Sequence, residues 1–186
     1  MRVISGIAKG RVLNSLEGDA TRPTTDRVKE SIFNIIQFDI EGRRILDLFG
    51  GSGQMSIEAV SRGAESAVIA ENSKQAAAII RDNIKKCGFS DKIRIHVGDF
   101  AEVLTKSEKY DVIFLDPPYK STLLLKALTI IHSFDILSNH GIIVCETDKN
   151  AEVPLLSPPY ETRKEYIYGK TKITVIRKSE GNLEGE

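Results

Sequence analysis

The feature that most constrains the fold of this chain is a regular alternation of short apolar runs with amphipathic, helix-length stretches. The apolar runs are continuous and cover residues 45–49, 67–70, 93–97, 112–115 and 142–145. Helical patterns lie between them, near residues 54–62, 73–86 (capped by Ser73 and followed by Gly88) and 121–134. Buried parallel strands have continuous apolar runs because helices cover both faces of the sheet. The alternation therefore predicts an α/β fold with a doubly wound, Rossmann-like parallel sheet.

Both ends of the chain depart from this alternation. Two strand-like segments flank Gly169-Lys170 and indicate an antiparallel hairpin. Residues 1–14 alternate around Gly6 and Gly10 like a second, smaller hairpin. The next segment has the period of an amphipathic helix, with Thr24 or Thr25 as cap and an apolar stripe of Val28, Ile32, Ile35 and Ile36.

The 186 residues are enough for one ordinary domain with a full core. We expect an N-terminal hairpin and helix over residues 1–40 and a main domain over residues 41–178. The polar residues 179–186 are predicted to be a disordered tail.

Cysteine usage and hydropathy favour a soluble, cytoplasmic protein. Cys87 and Cys145 fall in a helix end and a buried strand, which favours packed thiols of a reducing compartment. The chain begins without a signal-like apolar run, and no stretch approaches the about 18 apolar residues of a membrane span. The three histidines, His96, His132 and His140, are scattered, so no metal site is predicted.

Charge is balanced overall but uneven along the chain. The 26 basic residues match 26 acidic ones, so there is no global attraction to nucleic acid. Residues 1–14 contain three basic residues and no acid, and residues 161–178 contain six basic residues against two acids. Local basic patches can bind phosphates on a neutral protein. Ordinary solvated surface charge is the alternative for any single one of them.

Three loops after successive predicted strands carry groups suited to a nucleotide-like ligand. The segment "ILDLFGGSG" forms a glycine-rich turn before a helix, where a ligand can approach backbone N–H groups. An acid about twenty residues further on can bind both hydroxyls of a ribose. After the third strand, an acid and an aromatic ring can bind adenine. The alternative is that each acid is an ordinary loop residue without a ligand. In that case, their positions after three successive strands would be a coincidence. The residues predicted for this cofactor site are Asp47, Gly50, Gly51, Gly53, Glu71, Asn72, Asp99 and Phe100.

The acids in these loops indicate which ligand fits. Ser56 stands where a dinucleotide-binding turn needs its third glycine, and the turn has no Gly-Lys-Ser/Thr phosphate-binding sequence. Asp47 would repel a pyrophosphate but suits a ligand that carries an ammonium group. S-adenosylmethionine has an adenine, a ribose, an amino group and a sulfonium, so it is the predicted cofactor.

The tetrapeptide Asp116-Pro117-Pro118-Tyr119 follows the fourth predicted strand and is the predicted catalytic site. An exocyclic base amine is a poor nucleophile because its lone pair is delocalised into the ring. The Asp116 side chain and the Pro117 carbonyl can accept its two N–H bonds and localise that lone pair. Tyr119 offers a face on which a flipped base can stack. A proline-stiffened turn without chemistry is the alternative, which the glycine turn upstream disfavours.

These elements resemble a known family of enzymes. "LDLFGGSG" and "LDPPY" are similar to class I amino-methyltransferases, whose seven-stranded Rossmann-like sheet ends in an antiparallel hairpin. More specifically, "MRVISGIAKGRVL", "TRPTTDRVKESIFNII", "SIEAVSRGA" and "FLDPPY" resemble the bacterial 16S rRNA guanine-N2 methyltransferases of the RsmD type, from Met1 to about Lys178. Gly50 departs from the usual alanine, and "AEN" replaces the usual valine-acid pair, but neither change removes a needed side chain.

The resemblance implies a monomeric enzyme that methylates the N2 amine of one guanine in 16S rRNA, in a hairpin loop near the decoding region. Whether the substrate is naked RNA, the small ribosomal subunit or an assembly intermediate stays open. The resemblance also implies that residues 22–27 line the entrance for cofactor and RNA. The predicted RNA-binding residues are Lys9, Arg11, Arg22, Arg27 and Lys120.

The tetrapeptide by itself does not distinguish between the possible methyl acceptors. Adenine N6 in DNA or RNA and a protein glutamine present the same planar amine, and only the N-terminal segment favours guanine in rRNA. A dedicated DNA methyltransferase normally carries an inserted target-recognition region, for which no gap between strands has room. An NAD-binding oxidoreductase would need a different glycine pattern and a second substrate domain. A non-catalytic RNA-binding module would be expected to lose the acid or the prolines.

Overall fold

A computed structural model describes residues 1–15, 26–104, 108–118 and 122–179. Its centre is a seven-stranded sheet with strand order β3-β2-β1-β4-β5-β7-β6. The first five strands are parallel, and β7 pairs antiparallel with both β5 and β6. This confirms the predicted doubly wound sheet that ends in an antiparallel hairpin. The strands are β1 (Arg44–Asp47), β2 (Ser66–Glu71), β3 (Ile93–Val97), β4 (Tyr110–Leu115), β5 (Leu137–Asp148), β6 (Tyr160–Tyr168) and β7 (Thr171–Lys178).

Helices cover both faces of the sheet, and successive strand residues alternate between the two faces. One core cluster joins the N-terminal residues with α1, α2 and α3, while the other contains α4 and α5. A short 3-10 helix, Gln37–Asp39, follows α1. The helices are α1 (Asp26–Ile35), α2 (Gln54–Ser61), α3 (Lys74–Cys87), α4 (Phe100–Leu104) and α5 (Leu123–Ser133).

Local end signals set the limits of α3 as the sequence predicts. The Ser73 hydroxyl accepts a hydrogen bond from the backbone N–H of Ala76 at 3.2 Å, which satisfies a donor in the first turn. Gly88 ends the helix with a φ of +78°, a left-handed conformation that favours glycine.

Strand β5 differs most from the sequence prediction. It covers Leu137–Asp148, whereas the apolar run covers only residues 142–145. The strand lies between two partners, since it pairs with β4 on one side and with β7 on the other as far as Asp148. Backbone pairing with β7 therefore holds the polar residues Glu146, Thr147 and Asp148 in the strand beyond its apolar run. These residues carry no apolar signal of their own.

The two arms of the predicted N-terminal hairpin pair with each other: Arg2 and Val12 form an antiparallel bridge, and the N–H groups of Val3 and Leu13 donate to the carbonyls of Arg11 and Met1. Residues 1–14, which we call the N-terminal loop, make most of their hydrogen bonds to the rest of the protein with α2. Glu58 accepts from the loop backbone, and Ser61 both accepts from it and donates to it. The loop is therefore held both by its own backbone pairing and by α2.

Helix α1 buries the apolar stripe that the sequence predicts. Val28, Ile32 and Ile36 are buried, and Ile35 is partly buried against the same core cluster. The predicted caps, Thr24 and Thr25, lie outside the described residues, as does the tail from residue 180 onward.

Both cysteines are free thiols. Cys145 is fully buried, and burial raises the pKa of its thiol to about 12. Within the described ranges, no helix is long and apolar enough to cross a membrane. The same residues contain no group of three or more His, Cys, Asp and Glu side chains arranged to hold a metal ion.

Candidate active site

The glycine turn, Glu71 and Asp116 meet at one edge of the sheet because their strands are parallel neighbours. Asp47 at the end of β1 pairs in register with Ile69 of β2 on one side and with Phe114 of β4 on the other. Glu71 and Asp116 each lie two residues beyond those partners. The central strand thus brings together the predicted cofactor acid and the predicted catalytic tetrapeptide.

The three positions of the turn favour glycine for different structural reasons. Gly50 packs tightly, since a Cβ there would lie 2.4 Å from Cγ2 of Ile69. Gly53 begins α2 with a φ of +76°. Gly51 has a φ of +54°, and no atom lies within 4 Å of the place where its Cβ would be. The open side of the turn is therefore at Gly51, where a ligand can approach the backbone.

Asp47 lies beneath the turn and is 3% exposed. Its carboxylate accepts from the hydroxyl of Ser56 at 3.3 Å and from the backbone N–H groups of Phe49 and Ser56. Burial raises the pKa of Asp47 to about 6, because the charged form is poorly solvated. In this arrangement the acid satisfies donors in the first turn of α2. Direct contact between Asp47 and a ligand ammonium stays a prediction.

Glu71 closes the glycine turn. Its carboxylate accepts from the backbone N–H of Gly51 at 2.9 Å and from that of Ser73 at 2.8 Å. Each oxygen takes one of these bonds, so lone pairs remain that can accept from ribose hydroxyls. The next residue, Asn72, is exposed. The predicted ribose acid thus also sets the shape of the turn.

Asp99 and Phe100 begin α4, a short helix that the sequence pattern did not predict. Asp99 accepts from the backbone N–H of Ala101 at 2.9 Å, which is the main reason that its carboxyl pKa is lowered. Its other oxygen pairs with Lys126 at 3.2 Å. The ring of Phe100 is mostly buried against Phe49, with centroids 5.3 Å apart. Phe49 and Lys126 are neighbours of the predicted adenine site that sequence reasoning missed.

The tetrapeptide after β4 is described as far as Pro118. Asp116 is half-buried, Pro117 is buried and Pro118 is exposed at the end of the strand. Tyr119 lies outside the described residues, as do Lys120 and Arg22. The backbone N–H of Leu48, just before the glycine turn, donates to the carbonyl of Phe114 at 3.2 Å. The two loops therefore leave the sheet side by side.

The described basic residues of the predicted RNA site are exposed. Lys9 and Arg11 lie on the N-terminal loop, and Arg27 lies in the first turn of α1. Arg11 and Lys86 of α3 both lie near the thiol of Cys87, and their charges both lower its pKa. Burial outweighs them and raises the pKa of that thiol. The basic surface thus extends onto the end of α3, which the sequence alone did not indicate.

A buried ion pair holds the N-terminal loop in place. Lys29 and Glu58 are both fully buried, with Nζ and Oε2 3.5 Å apart. Glu58 accepts from the backbone N–H groups of Ile4 and Ser5 at 2.8 and 2.9 Å, and Lys29 donates to the carbonyl of Arg2 at 2.6 Å. Burial lowers the pKa of Lys29. The only sequence signal was a lysine within the apolar stripe of α1.

Comparisons with known proteins agree with this arrangement. A family model described as "Conserved hypothetical protein 95" matches residues 1–177. "Putative rRNA methyltransferase YlbH" of Bacillus subtilis is 41% identical over 183 residues, covering 96% of this chain and 99% of that protein. "Ribosomal RNA small subunit methyltransferase D" of Haemophilus influenzae is 34% identical over 162 residues, covering 85% and 83%. A solved structure described as "Putative methyltransferase yhhF from Escherichia coli" superposes with a TM-score of 0.84 at 26% identity, covering 96% and 98%.

Proposed function

The chain belongs to the RsmD-type family of class I, S-adenosylmethionine-dependent methyltransferases, and we propose that it methylates the exocyclic N2 amine of a guanine in 16S rRNA. The observation that carries this proposal is the meeting of the Gly51 turn and Asp116 at the ends of adjacent strands β1 and β4. A methyl donor bound at the turn and an amine held at the tetrapeptide would then be neighbours.

The residues around the glycine turn fit S-adenosylmethionine. The side of the turn at Gly51 is open, Glu71 has free lone pairs for a ribose diol, and Asp99 is an exposed acceptor near the ring of Phe100. Asn72, which directly follows Glu71, would lie along the same ligand. When bound, this cofactor supplies an activated methyl group on a sulfonium.

Asp116 and Pro117 would orient the amine that receives the methyl group. The carboxylate of Asp116 and the carbonyl of Pro117 each accept one N–H of the base amine, which directs its lone pair away from the ring. Pro117 is buried, so its carbonyl direction is held by the surrounding core. After the transfer, the nitrogen releases one proton to solvent. The stacking role of Tyr119 belongs to the same proposal.

The exposed cations would dock the RNA backbone. Lys9 and Arg11 on the N-terminal loop, with Arg27 on α1, can contact phosphates. We propose the same role for Arg22 and Lys120, which lie outside the described residues. The substrate would be 16S rRNA within the small ribosomal subunit or an assembly intermediate, and the enzyme would act as a cytoplasmic monomer. Residues 1–40 would then form the RNA and cofactor entrance of a methyltransferase domain over residues 41–178.

The direct test is mass spectrometry of nucleosides from 16S rRNA of a strain that lacks the gene. We expect a loss of N2-methylguanosine, restored by the wild-type gene but not by the Asp116→Ala variant. An unchanged level of N2-methylguanosine would contradict the proposed acceptor. A loss of N6-methyladenosine instead would mean that the tetrapeptide binds the N6 amine of an adenine.

A further inference from the structure

Asn83 of α3 joins two segments that the proposed function assigns to different ligands. The side chain is fully buried. Its Oδ1 accepts from the backbone N–H of Asn14 at 2.8 Å, and its Nδ2 donates to the carbonyls of Asn14 at 3.0 Å and Ser52 at 2.9 Å. Both amide protons are used, so the orientation of the amide is fixed by its two partners.

The two partners lead to the two proposed binding surfaces. Asn14 ends the N-terminal loop, which carries Lys9 and Arg11. Ser52 lies between the two left-handed glycines of the cofactor turn, and the N–H of the neighbouring Gly51 donates to Glu71. A continuous path of hydrogen bonds and peptide units therefore runs from the proposed RNA surface to the proposed ribose acid.

The loop touches the turn at a second point beside Asn83. The hydroxyl of Ser52 lies 3.1 Å from Sδ of Met1, and the carbonyl of Met1 accepts from the N–H of Leu13. Both ends of the loop thus lie against the turn. Its middle is held separately by Glu58 and Ser61, whose side-chain hydrogen bonds reach the loop and not the turn.

We propose that Asn83 is a positioning residue that couples the binding of RNA to the binding of the cofactor. The proposal rests on the proposed function, because it takes the loop as the RNA surface. RNA that orders the loop would fix the peptide of Asn14, and the amide of Asn83 would then hold the Ser52 carbonyl and the turn in one geometry. By thermodynamic linkage, cofactor binding would strengthen RNA binding by the same factor.

Equilibrium dialysis of labelled S-adenosylhomocysteine, with and without small ribosomal subunits from a strain lacking the gene, measures this coupling without turnover. For the wild type, we expect subunits to raise cofactor affinity about 5-fold or more. For Asn83→Ala, we expect the cofactor affinities with and without subunits to differ by less than about 2-fold. Ser61→Ala is the matched control, because it removes two buried hydrogen bonds of the same loop far from the turn.

The possible outcomes separate this inference from the proposed function. Wild-type coupling that survives in Asn83→Ala, or that is lost equally in Ser61→Ala, would overturn the role of Asn83. Subunits that bind without any effect on the cofactor would overturn it as well. Failure of the wild type to cosediment with subunits would instead contradict the proposed function.

A measurement on the wild type keeps the inference testable if Asn83→Ala does not fold. Hydrogen exchange of the Asn14 amide, which donates to Asn83, should slow when S-adenosylhomocysteine saturates the turn. The amide of Ala8, held by Ser61, serves as the internal reference. Unchanged exchange at Asn14 would show that the turn and the loop are not coupled through this contact.

Discussion

The carboxylate of Glu71 accepts a hydrogen bond at 2.9 Å from the backbone N–H of Gly51, a residue 20 positions earlier in the chain. The acid at the end of β2 and the turn after β1 are therefore one structural unit. A change at Glu71 removes the predicted partner of the ribose and also releases the turn. The first prediction follows from this double role.

Glu71→Ala should weaken binding of S-adenosylhomocysteine by about 1–3 kcal/mol, because polar groups of both ligand and turn lose an acceptor. Isothermal titration calorimetry measures the change. Glu65→Ala, which removes an exposed acid near the opposite end of β2, should bind like the wild type. An unchanged affinity for Glu71→Ala would contradict the assignment of the cofactor site.

Cofactor binding should strengthen as the pH rises through about 6, the raised pKa of Asp47. A protonated Asp47 cannot pair with a ligand ammonium, whereas the carboxylate can. Without ligand, the folded state holds this proton more tightly than the unfolded state between pH 3.8 and about 6, so stability should fall as the pH rises through that window.

Asp47→Asn should remove both pH effects. Calorimetric titrations at several pH values test the first, and urea unfolding at the same values tests the second. The negative charge of Glu71 also raises the pKa of Asp47. Glu71→Ala should therefore move the midpoint of both pH effects to a lower pH without removing the effects. A pH-independent affinity in the wild type would show that Asp47 only caps α2.

Asp116→Asn should retain measurable methyl transfer, because its amide oxygen can still accept from the substrate amine. Asp116→Ala should lose more, since a hydrogen bond to a charged acceptor contributes about 1.5–3 kcal/mol. A general base would instead lose roughly 10²–10⁴-fold with either change. Single-turnover assays across pH with saturating cofactor separate the two. Asp111→Asn, at the other end of β4, is the control.

Replacing Lys9 and Arg11 by glutamine should flatten the salt dependence of binding to small subunits. Two lost phosphate contacts should reduce the slope of log affinity against log salt by about 1.4–1.8. Filter binding at several salt concentrations gives the slope. Arg43→Gln with Lys92→Gln removes two exposed charges just before β1 and β3, outside the N-terminal loop, and should leave the slope unchanged. Equal slopes for the wild type and both double variants would contradict RNA binding by the N-terminal loop.

Lys29→Met should lower the free energy of unfolding by about 1–3 kcal/mol, because Glu58 and the carbonyl of Arg2 both lose a buried donor. Glu58 keeps a second cation, Arg62, at 2.8 Å, so its charge is not left unpaired. Arg94→Gln breaks an exposed pair with Glu108 and should cost less than about 1 kcal/mol. Urea denaturation measures all of them. A Lys29→Met protein as stable as wild type would mean that the pair does not hold the loop.

Sequence patterns predicted those parts of the protein that depend on local order. The alternation of apolar runs and helices predicted the sheet, and Ser73 and Gly88 predicted the ends of α3. Polar residues such as Thr147 gave no sign that β5 extends beyond its apolar centre, because pairing with β7 holds them in the strand. The arms of the hairpin predicted around Gly6 pair with each other, but no local pattern indicated that Glu58 and Ser61 of α2 would also hold them.

The sequence by itself therefore determined the α/β architecture and predicted the chemistry of the glycine turn and the tetrapeptide, since both inferences depend on residue type and short spacing. Only the tertiary structure decided which buried polar groups hold these parts together. Glu58 contacts residues 53 and 54 positions away, and Asn83 contacts Asn14 across 69 positions. Burial makes such contacts obligatory, because a polar group that has lost water needs a partner. Which partner it meets is set by the packing of α1, α2 and α3, and that packing leaves no local pattern in the sequence.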